Sequence, residues 1–339
     1  MGPPLVDLRS DTVTRPTPEM RRAMAEAEVG DDGYGEDPSV NALEAFYAER
    51  VGMASAVFVP SGTMANQIAL RVLGRPGTLA LAGRRQHLVA YEAGAGGRNA
   101  DVQLQPLDDA DGTVDPSAVS QARAATAHHQ PEVSLVCLEN PHMAASGALW
   151  PGARWKEVLA ASDGLPVHLD GARLFNAEVA AGVPAATLAA GATTVMTCLT
   201  KGLCAPVGSV LAGPADVIDE ARVERKRLGG GMRQAGVVAA AALVGLRTMV
   251  ERLAEDHARA QTLAEGVAGR WPASLDPAVV RTNIVVFTHA DPEALLAHLG
   301  RAGVAAGTLA PGVVRFVTHR EVDDEGVDRV RAALDAAPG

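Results

Sequence analysis

The sequence predicts a two-part α/β protein whose larger part is built on a mostly parallel sheet. Apolar β-prone runs alternate with helical patterns through the middle of the chain, two of those runs lead into a strand-end ionisable residue, Asp170 and Lys201, and 339 residues are enough to bury two cores. In an open α/β sheet the ligand site lies beyond the carboxyl ends of the strands. That aspartate and that lysine fall there.

The elements follow in chain order. Residues 8–16 are polar and lack an amphipathic period, so this arm is expected to fray unless something holds it. Thr17-Pro-Glu-Met opens a helix with a capping hydroxyl, a first-turn proline and an acidic side chain in their favoured places. Residues 31–38 form a loop of turn formers. Candidate strands lie at 56–59, 78–81, 133–138, 167–170, 194–198 and 208–212, and helical patterns at 39–51, 63–73, 152–162 and 214–228. Residues 234–268 read as one long helix-compatible stretch that leads into the smaller part. There a strand at 283–287, a helix at 291–302, a strand at 313–317 and a helix at 322–336 complete the chain. The expected division is an arm and large domain over 1–250 and a small C-terminal α/β domain over 251–339.

Apolar residues make up 47% of the chain but aromatic ones only 3%, so the cores must be mostly Ala, Val and Leu. The net charge of −10, from 40 acidic against 30 basic side chains, argues against general nucleic-acid binding. The three cysteines, Cys137, Cys198 and Cys204, show no metal-ligand spacing and read as buried thiols. No run reaches the roughly 18 uninterrupted apolar residues of a membrane span, and the N-terminus carries no signal-like pattern. The expected protein is cytoplasmic, with no membrane, nucleic-acid or metal partner.

Lys201 carries the most chemistry, because the chain has only two other lysines, Lys156 and Lys226. A lysine can form a Schiff base and an aspartate can pair with a pyridinium nitrogen; an enzyme that uses pyridoxal phosphate needs both. Ser61-Gly-Thr63, between a strand end and a helix start, could cradle its phosphate with free N–H groups and hydroxyls, Gly62 permitting close approach. Equally, Ser61 could be an ordinary helix cap and Asp170 a turn cap. His87 could stack on an aromatic cofactor and exchange a proton, or be an exposed loop residue; His142, just beyond a strand, is open to the same two readings. Arg315, central in an apolar strand, needs an anionic or carbonyl partner, and a substrate carboxylate would serve. The segment from Arg225 to Arg233 is basic and glycine-rich, and reads either as a solvated helix end or as an anion site completing a neighbouring subunit's pocket.

Asp7-Leu-Arg-Ser-Asp-Thr-Val-Thr-Arg-Pro16, Gly30-Asp-Asp-Gly-Tyr-Gly35, Ser61-Gly-Thr-Met-Ala-Asn66, His168-Leu-Asp-Gly-Ala-Arg173, Leu199-Thr-Lys-Gly-Leu203 and Gly229-Gly-Gly-Met-Arg-Gln234 together resemble the low-specificity L-threonine aldolase family. The resemblance runs in order over nearly the whole chain. It implies a fold-type I pyridoxal-phosphate enzyme, aspartate aminotransferase-like, assembled as a homotetramer from dimers. By that likeness Lys201 is the Schiff-base lysine, Asp170 the partner of the ring nitrogen, and Arg173 a ring or substrate contact. Ser61, Gly62 and Thr63 would hold the phosphate and His87 would stack on the ring. Ser10, Tyr34 and Arg315 would contact the substrate, and Arg233 would reach a phosphate across the dimer.

The chain departs from the family at Glu139-Asn-Pro-His-Met143, where the usual pattern is Glu-Asn-Thr-His-Asn, at Thr200, where serine is usual, and at Cys204, where glycine is usual. The expected reaction is reversible cleavage of L-threonine, L-allo-threonine and related L-3-hydroxy-α-amino acids to glycine and an aldehyde. His87, His142 or an ordered water would take the β-hydroxyl proton. The alternatives are a transaldolase, racemase or β-eliminating lyase with the same cofactor, or a catalytically idle partner protein. Retention of Lys201, Asp170, Arg173 and Arg315 together argues against the last.

Overall fold

Four α-helices among the described residues start with a side-chain acceptor followed by proline. Thr17, Asp37, Asp115 and Asp291 each accept from a first-turn backbone N–H, and Pro18, Pro38, Pro116 and Pro292 take the first helical position. The capping oxygen satisfies a donor that would otherwise be orphaned, and proline there sacrifices no helical hydrogen bond. The structure is a computed structural model and describes residues 5–125 and 129–337.

Strand β1 (Val6–Asp7) lies in the arm. The next strands, β2 (Ser55–Val59), β3 (Leu79–Gly83), β4 (Gln103–Leu107), β5 (Val133–Glu139), β6 (Val167–Asp170), β7 (Thr194–Cys198) and β8 (Ser209–Gly213), form one seven-stranded sheet in the order β2-β8-β7-β6-β5-β3-β4. All its pairings are parallel except those of β8, which runs antiparallel to both neighbours. Strands β5 to β8 are buried along their whole length, as a sheet covered on both faces requires. The sequence reading has no strand at β4. This is an edge strand, partly exposed, with two glutamines and Pro106, and its polarity conceals it. The helices Pro116–Ala124 and Leu174–Ala181 are likewise additional to the sequence reading.

Strands β9 (Ile284–Thr288), β10 (Val304–Ala305), β11 (Gly307–Ala310) and β12 (Val313–Val317) belong to the C-terminal part, where β11, β12 and β9 form an antiparallel sheet and β10 pairs with β1. The helices Leu253–Arg270, Pro292–Arg301 and Asp324–Asp335 pack around it. Residues 234–268 are not one helix but two, Gly236–Thr248 and Leu253–Arg270. Each half buries into a different core: Ala239, Ala242 and Leu246 into the one around the large sheet, Ala260, Leu263 and Val267 into the C-terminal one. Composition shows helix in both halves but not the change of core between them.

The arm does not fray. Val6 and Leu8 sit in the C-terminal core, Leu8 N–H donates to Ala305 O at 2.7 Å, and Leu8 O accepts from Val317 N at 2.9 Å. Full burial of such a leucine is worth about 1.5–3 kcal/mol, so even two apolar residues in a polar segment help to dock it. No helix among the described residues is long and apolar enough to cross a membrane. The three cysteines are free and buried, and burial pushes the Cys204 thiol up to about 12. Cys204 holds φ +63°, in the left-handed region where glycine is at ease, which accounts for the glycine usual at this point of the family pattern.

Candidate active site

Strand β2 delivers the chain to Ser61, whose extended backbone turns into the helix Gly62–Leu73. Ser61 Oγ accepts from Met64 N at 3.2 Å and Ser61 O from Ala65 N at 3.1 Å. Among the described residues the N–H groups of Gly62 and Thr63 have no partner, so the helix is capped and still presents two donors to an anion. A Cβ on Gly62 would stand 2.6 Å from Cys198 Sγ and 2.9 Å from Met196 Cε. Glycine is what lets this turn sit down on β7.

Beside the turn lies a cavity of about 170 Å³ whose wall brings together Ser61, Gly62, Thr63, His87, Asp170 and Lys201. Asp170, at the carboxyl end of β6, is buried; its Oδ1 accepts from Ala172 N at 3.0 Å and its Oδ2 from Asn66 Nδ2 at 2.8 Å. It forms no ion pair among the described residues, although a buried carboxylate without a cation is costly. Lys201 is held by its backbone: its carbonyl accepts from Thr14 Oγ1 and from Cys204 N, both at 2.9 Å, which leaves the side chain to the cavity.

Asn66 is the hub behind Asp170. Its Nδ2 also donates to Glu92 Oε1 at 2.8 Å, and its Oδ1 lies 3.0 Å from His168 Nε2, while His168 Nδ1 lies 2.9 Å from Thr194 Oγ1. Burial pushes the His168 imidazole down to about 4, so it stays neutral, donating to Asn66 and accepting from the threonine hydroxyl. Glu92 also binds Gln67 Nε2 at 2.7 Å and His87 Nδ1 at 3.0 Å. Glu139, at the end of β5, accepts from His87 N at 2.7 Å and Met143 N at 2.8 Å, and burial raises its carboxyl.

On the arm's side of the site Arg173 donates from Nε and Nη2 to Asp11 at 2.7 and 2.6 Å, and Asn283 Nδ2 joins the same carboxylate at 3.1 Å. Burial opposes ionisation of Asp11, but the Arg173 charge and hydrogen bonds prevail and hold it well below the usual carboxylate range. Breaking such a buried pair by removing one member costs about 3–5 kcal/mol. The pair therefore locks the arm against both parts of the chain and leaves Arg173 the N–H groups of Nη1 and the second N–H of Nη2 for a ligand. Arg315 is different. Nη2 donates to Arg9 O at 2.8 Å and Nη1 meets Met143 Sδ at 3.4 Å, while Nε is buried with no partner. Burial, and then repulsion from Arg173, lowers its pKa, which is the signature of a guanidinium wanting an anion. Ser10 Oγ caps the short turn Asp11–Val13 by accepting from Thr12 N at 3.2 Å.

Of the residues expected at the site, Ser10, Arg173 and Arg315 do not line this cavity, and neither do His142, Tyr34 and Arg233. His142 is fully buried, with Nε2 at 2.8 Å from Asp109 Oδ2, and does not line the cavity. Tyr34 is 80% exposed, because the turn Asp32–Tyr34 closes on Gly35 at φ +71° and projects the ring outward. It borders a second cavity of about 610 Å³, walled also by Lys226, Arg227 and Arg233. Arg225 in that basic segment is buried, paired with Asp32 at 2.6 Å and donating to Phe58 O at 2.7 Å. The glycine loop is packed rather than free, since a Cβ on Gly230 would meet Met64 Sδ at 2.3 Å.

The sequence reading gave no role to Asp11, Asn66, Glu92 or Glu139. Asn66 had a signal, lying four residues after Gly62 and so on the same helix face. Glu92 had a weaker one, as the lone acid in the uncharged run 88–97.

Pyridoxal phosphate asks at once for an anion cradle, a carboxylate at its ring nitrogen and an amine within reach, and the donor set around this cavity fits all three. The class that fold and site define is therefore a fold-type I pyridoxal-phosphate enzyme. The model of the beta-eliminating lyase family matches residues 7–290. The chain is 41% identical to the probable low-specificity L-threonine aldolase 2 of Arabidopsis thaliana, over 97% of this chain and 96% of that one. It is 39% identical to the low specificity L-threonine aldolase of Escherichia coli strain K12, over 97% and 98%. Among solved structures it is similar to the Leishmania major threonine aldolase, with a TM-score of 0.84, 20% identity and coverage of 98% and 99%. The chain belongs to the low-specificity L-threonine aldolase family.

Proposed function

We propose that this protein cleaves L-threonine, L-allo-threonine and related L-3-hydroxy-α-amino acids to glycine and an aldehyde, reversibly and with pyridoxal phosphate. The observation that carries this reading is the convergence on one cavity of Lys201, the unpaired carboxylate of Asp170 and the free N–H groups of Gly62 and Thr63. When bound, the cofactor supplies the electron sink that makes the Cα–Cβ bond breakable. Gly62 and Thr63 would hold its phosphate, Asp170 its ring nitrogen, and Lys201 its carbonyl carbon. Arg315, with its orphaned Nε, and the Ser10 hydroxyl would clamp the substrate carboxylate and so fix which bond at Cα stands ready to break. His87, which lines the cavity, would take the β-hydroxyl proton; His142, shut behind Asp109, would support the wall.

Incubation of the protein with either threonine epimer is expected to yield glycine and acetaldehyde in equal amounts. Ammonia with a keto acid would instead show β-elimination, and the mirror-image amino acid racemisation. Replacing Arg315 by alanine removes a charge-assisted contact of about 1.5–3 kcal/mol and is expected to raise KM for L-threonine roughly ten- to a hundredfold. Steady-state kinetics on the variant check this.

Assembly into a dimer of dimers in the cytoplasm completes the proposal. The exposed Arg233 and Tyr34, together at one cavity whose wall does not include their own Lys201, would serve the partner's site. Replacing Arg233 by alanine is expected to weaken cofactor retention about ten- to a hundredfold, the size of one lost charge-assisted phosphate contact. Dilution of the wild type should weaken cofactor binding in parallel, since a ligand bound between subunits is linked to their association. Cofactor titration over a protein dilution series measures both.

A further inference from the structure

Glu92 has a side chain with no exposed surface, and among the described residues it forms no ion pair with a lysine or arginine. A single oxygen, Oε1, accepts from Asn66 Nδ2 at 2.8 Å and meets His87 Nδ1 at 3.0 Å. The same Asn66 nitrogen also donates to Asp170 at 2.8 Å. The other Glu92 oxygen is taken by Gln67. One carboxylate thus touches the imidazole on the cavity wall and, through one amide, the aspartate at the far end of that wall.

We propose that Glu92 is a positioning residue that sets the tautomer and the charge of His87 and ties both to the Asp170 end of the site. This rests on the reading of His87 as the proton-transferring group. A carboxylate at Nδ1 compels the neutral ring to carry its hydrogen there. The lone pair then lies on Nε2, the nitrogen without a partner among the described residues, on a ring that lines the cavity. An imidazole so held accepts a proton at Nε2 and is stabilised as the cation by the carboxylate behind it, the logic by which a buried acid orients a catalytic histidine. The remaining groups that face His87 are few. The Glu92 hydrogen bond raises its pKa, burial opposes this, Asp170 adds to the rise, and Lys201 acts against it. The Tyr91 ring packs at 5.7 Å and 37° to the imidazole, and Glu139 accepts from the His87 backbone N–H rather than from its ring. Glu92 is the only one of these bonded to the ring itself.

The test uses nitrogen-15 histidine spectra of the protein freed of cofactor, with the His87 signals identified by their absence from His87→Asn. In the wild type the neutral His87 ring should carry its hydrogen on Nδ1, with a titration midpoint above that of a free histidine. In Glu92→Gln the midpoint should fall by about one pH unit, roughly tenfold in proton affinity. In Glu92→Ala the hydrogen should move to Nε2, the preference of an unpartnered imidazole. An Nε2–H tautomer in the wild type would overturn the proposal without recourse to any variant, and so would a midpoint unmoved in a folded Glu92→Gln protein. Because no substrate is present, failure here leaves the aldolase reading standing. Correct titration in a protein that does not cleave threonine would sink the aldolase reading alone.

Discussion

Replacing Lys201 by alanine is expected to lower kcat for threonine cleavage by at least about a thousandfold, the scale of losing a covalent and acid–base group together. The fold should stand. The Lys201 side chain lines a cavity rather than filling a core, and the contacts that order this turn run through its carbonyl, to Thr14 Oγ1 and Cys204 N, which alanine keeps. The melting temperature should therefore move little while turnover disappears. Steady-state kinetics beside a thermal melt separate the two effects; a variant that retains turnover would remove Lys201 from the chemistry.

Asp170→Asn is the second large effect. An amide at this position retains an oxygen for Ala172 N–H but turns its NH₂ toward Asn66 Nδ2 or toward the ring nitrogen, where an acceptor is required. Removing a charge that would face the cofactor's electron sink is expected to cost on the order of 10²–10³ in kcat, by analogy with the loss of one preorganised electrostatic contact. Cofactor affinity should change far less, because the donors of Gly62 and Thr63 and the side chain of Lys201 are untouched. Kinetics and cofactor titration of the same variant decide this, and full activity would mean that the ring nitrogen is held elsewhere.

The sheet and the poles of the site were legible because their signals are local. Buried parallel strands are continuous apolar runs, so β5, β6 and β7 stand out, and the ionisable residues at or just beyond their ends, Asp170 and Lys201, mark the carboxyl edge. The Ser61 turn shows itself by cap chemistry alone. What stayed hidden depends on partners far away in the chain. Asp11 gains its meaning only when Arg173 and Asn283 are brought to it, and the arm looked free because its two docking residues, Val6 and Leu8, are too few to make a period. Glu92 and Asn66 bridge helix and loop segments whose adjacency no spacing encodes. His142 is expected at the site from its place just beyond a strand and Tyr34 from the family resemblance; the first is turned inward to Asp109 and the second outward to solvent.

The central claim is that the cavity at the carboxyl ends of β6 and β7 is where the cofactor is held, on Lys201. Reduction of the cofactor-loaded wild type with borohydride, followed by peptide mapping, tests it directly, because the chain offers only Lys156, Lys201 and Lys226 as alternatives. The cofactor mass should appear on the Lys201 peptide alone. Its recovery on the Lys156 or Lys226 peptide would contradict the account.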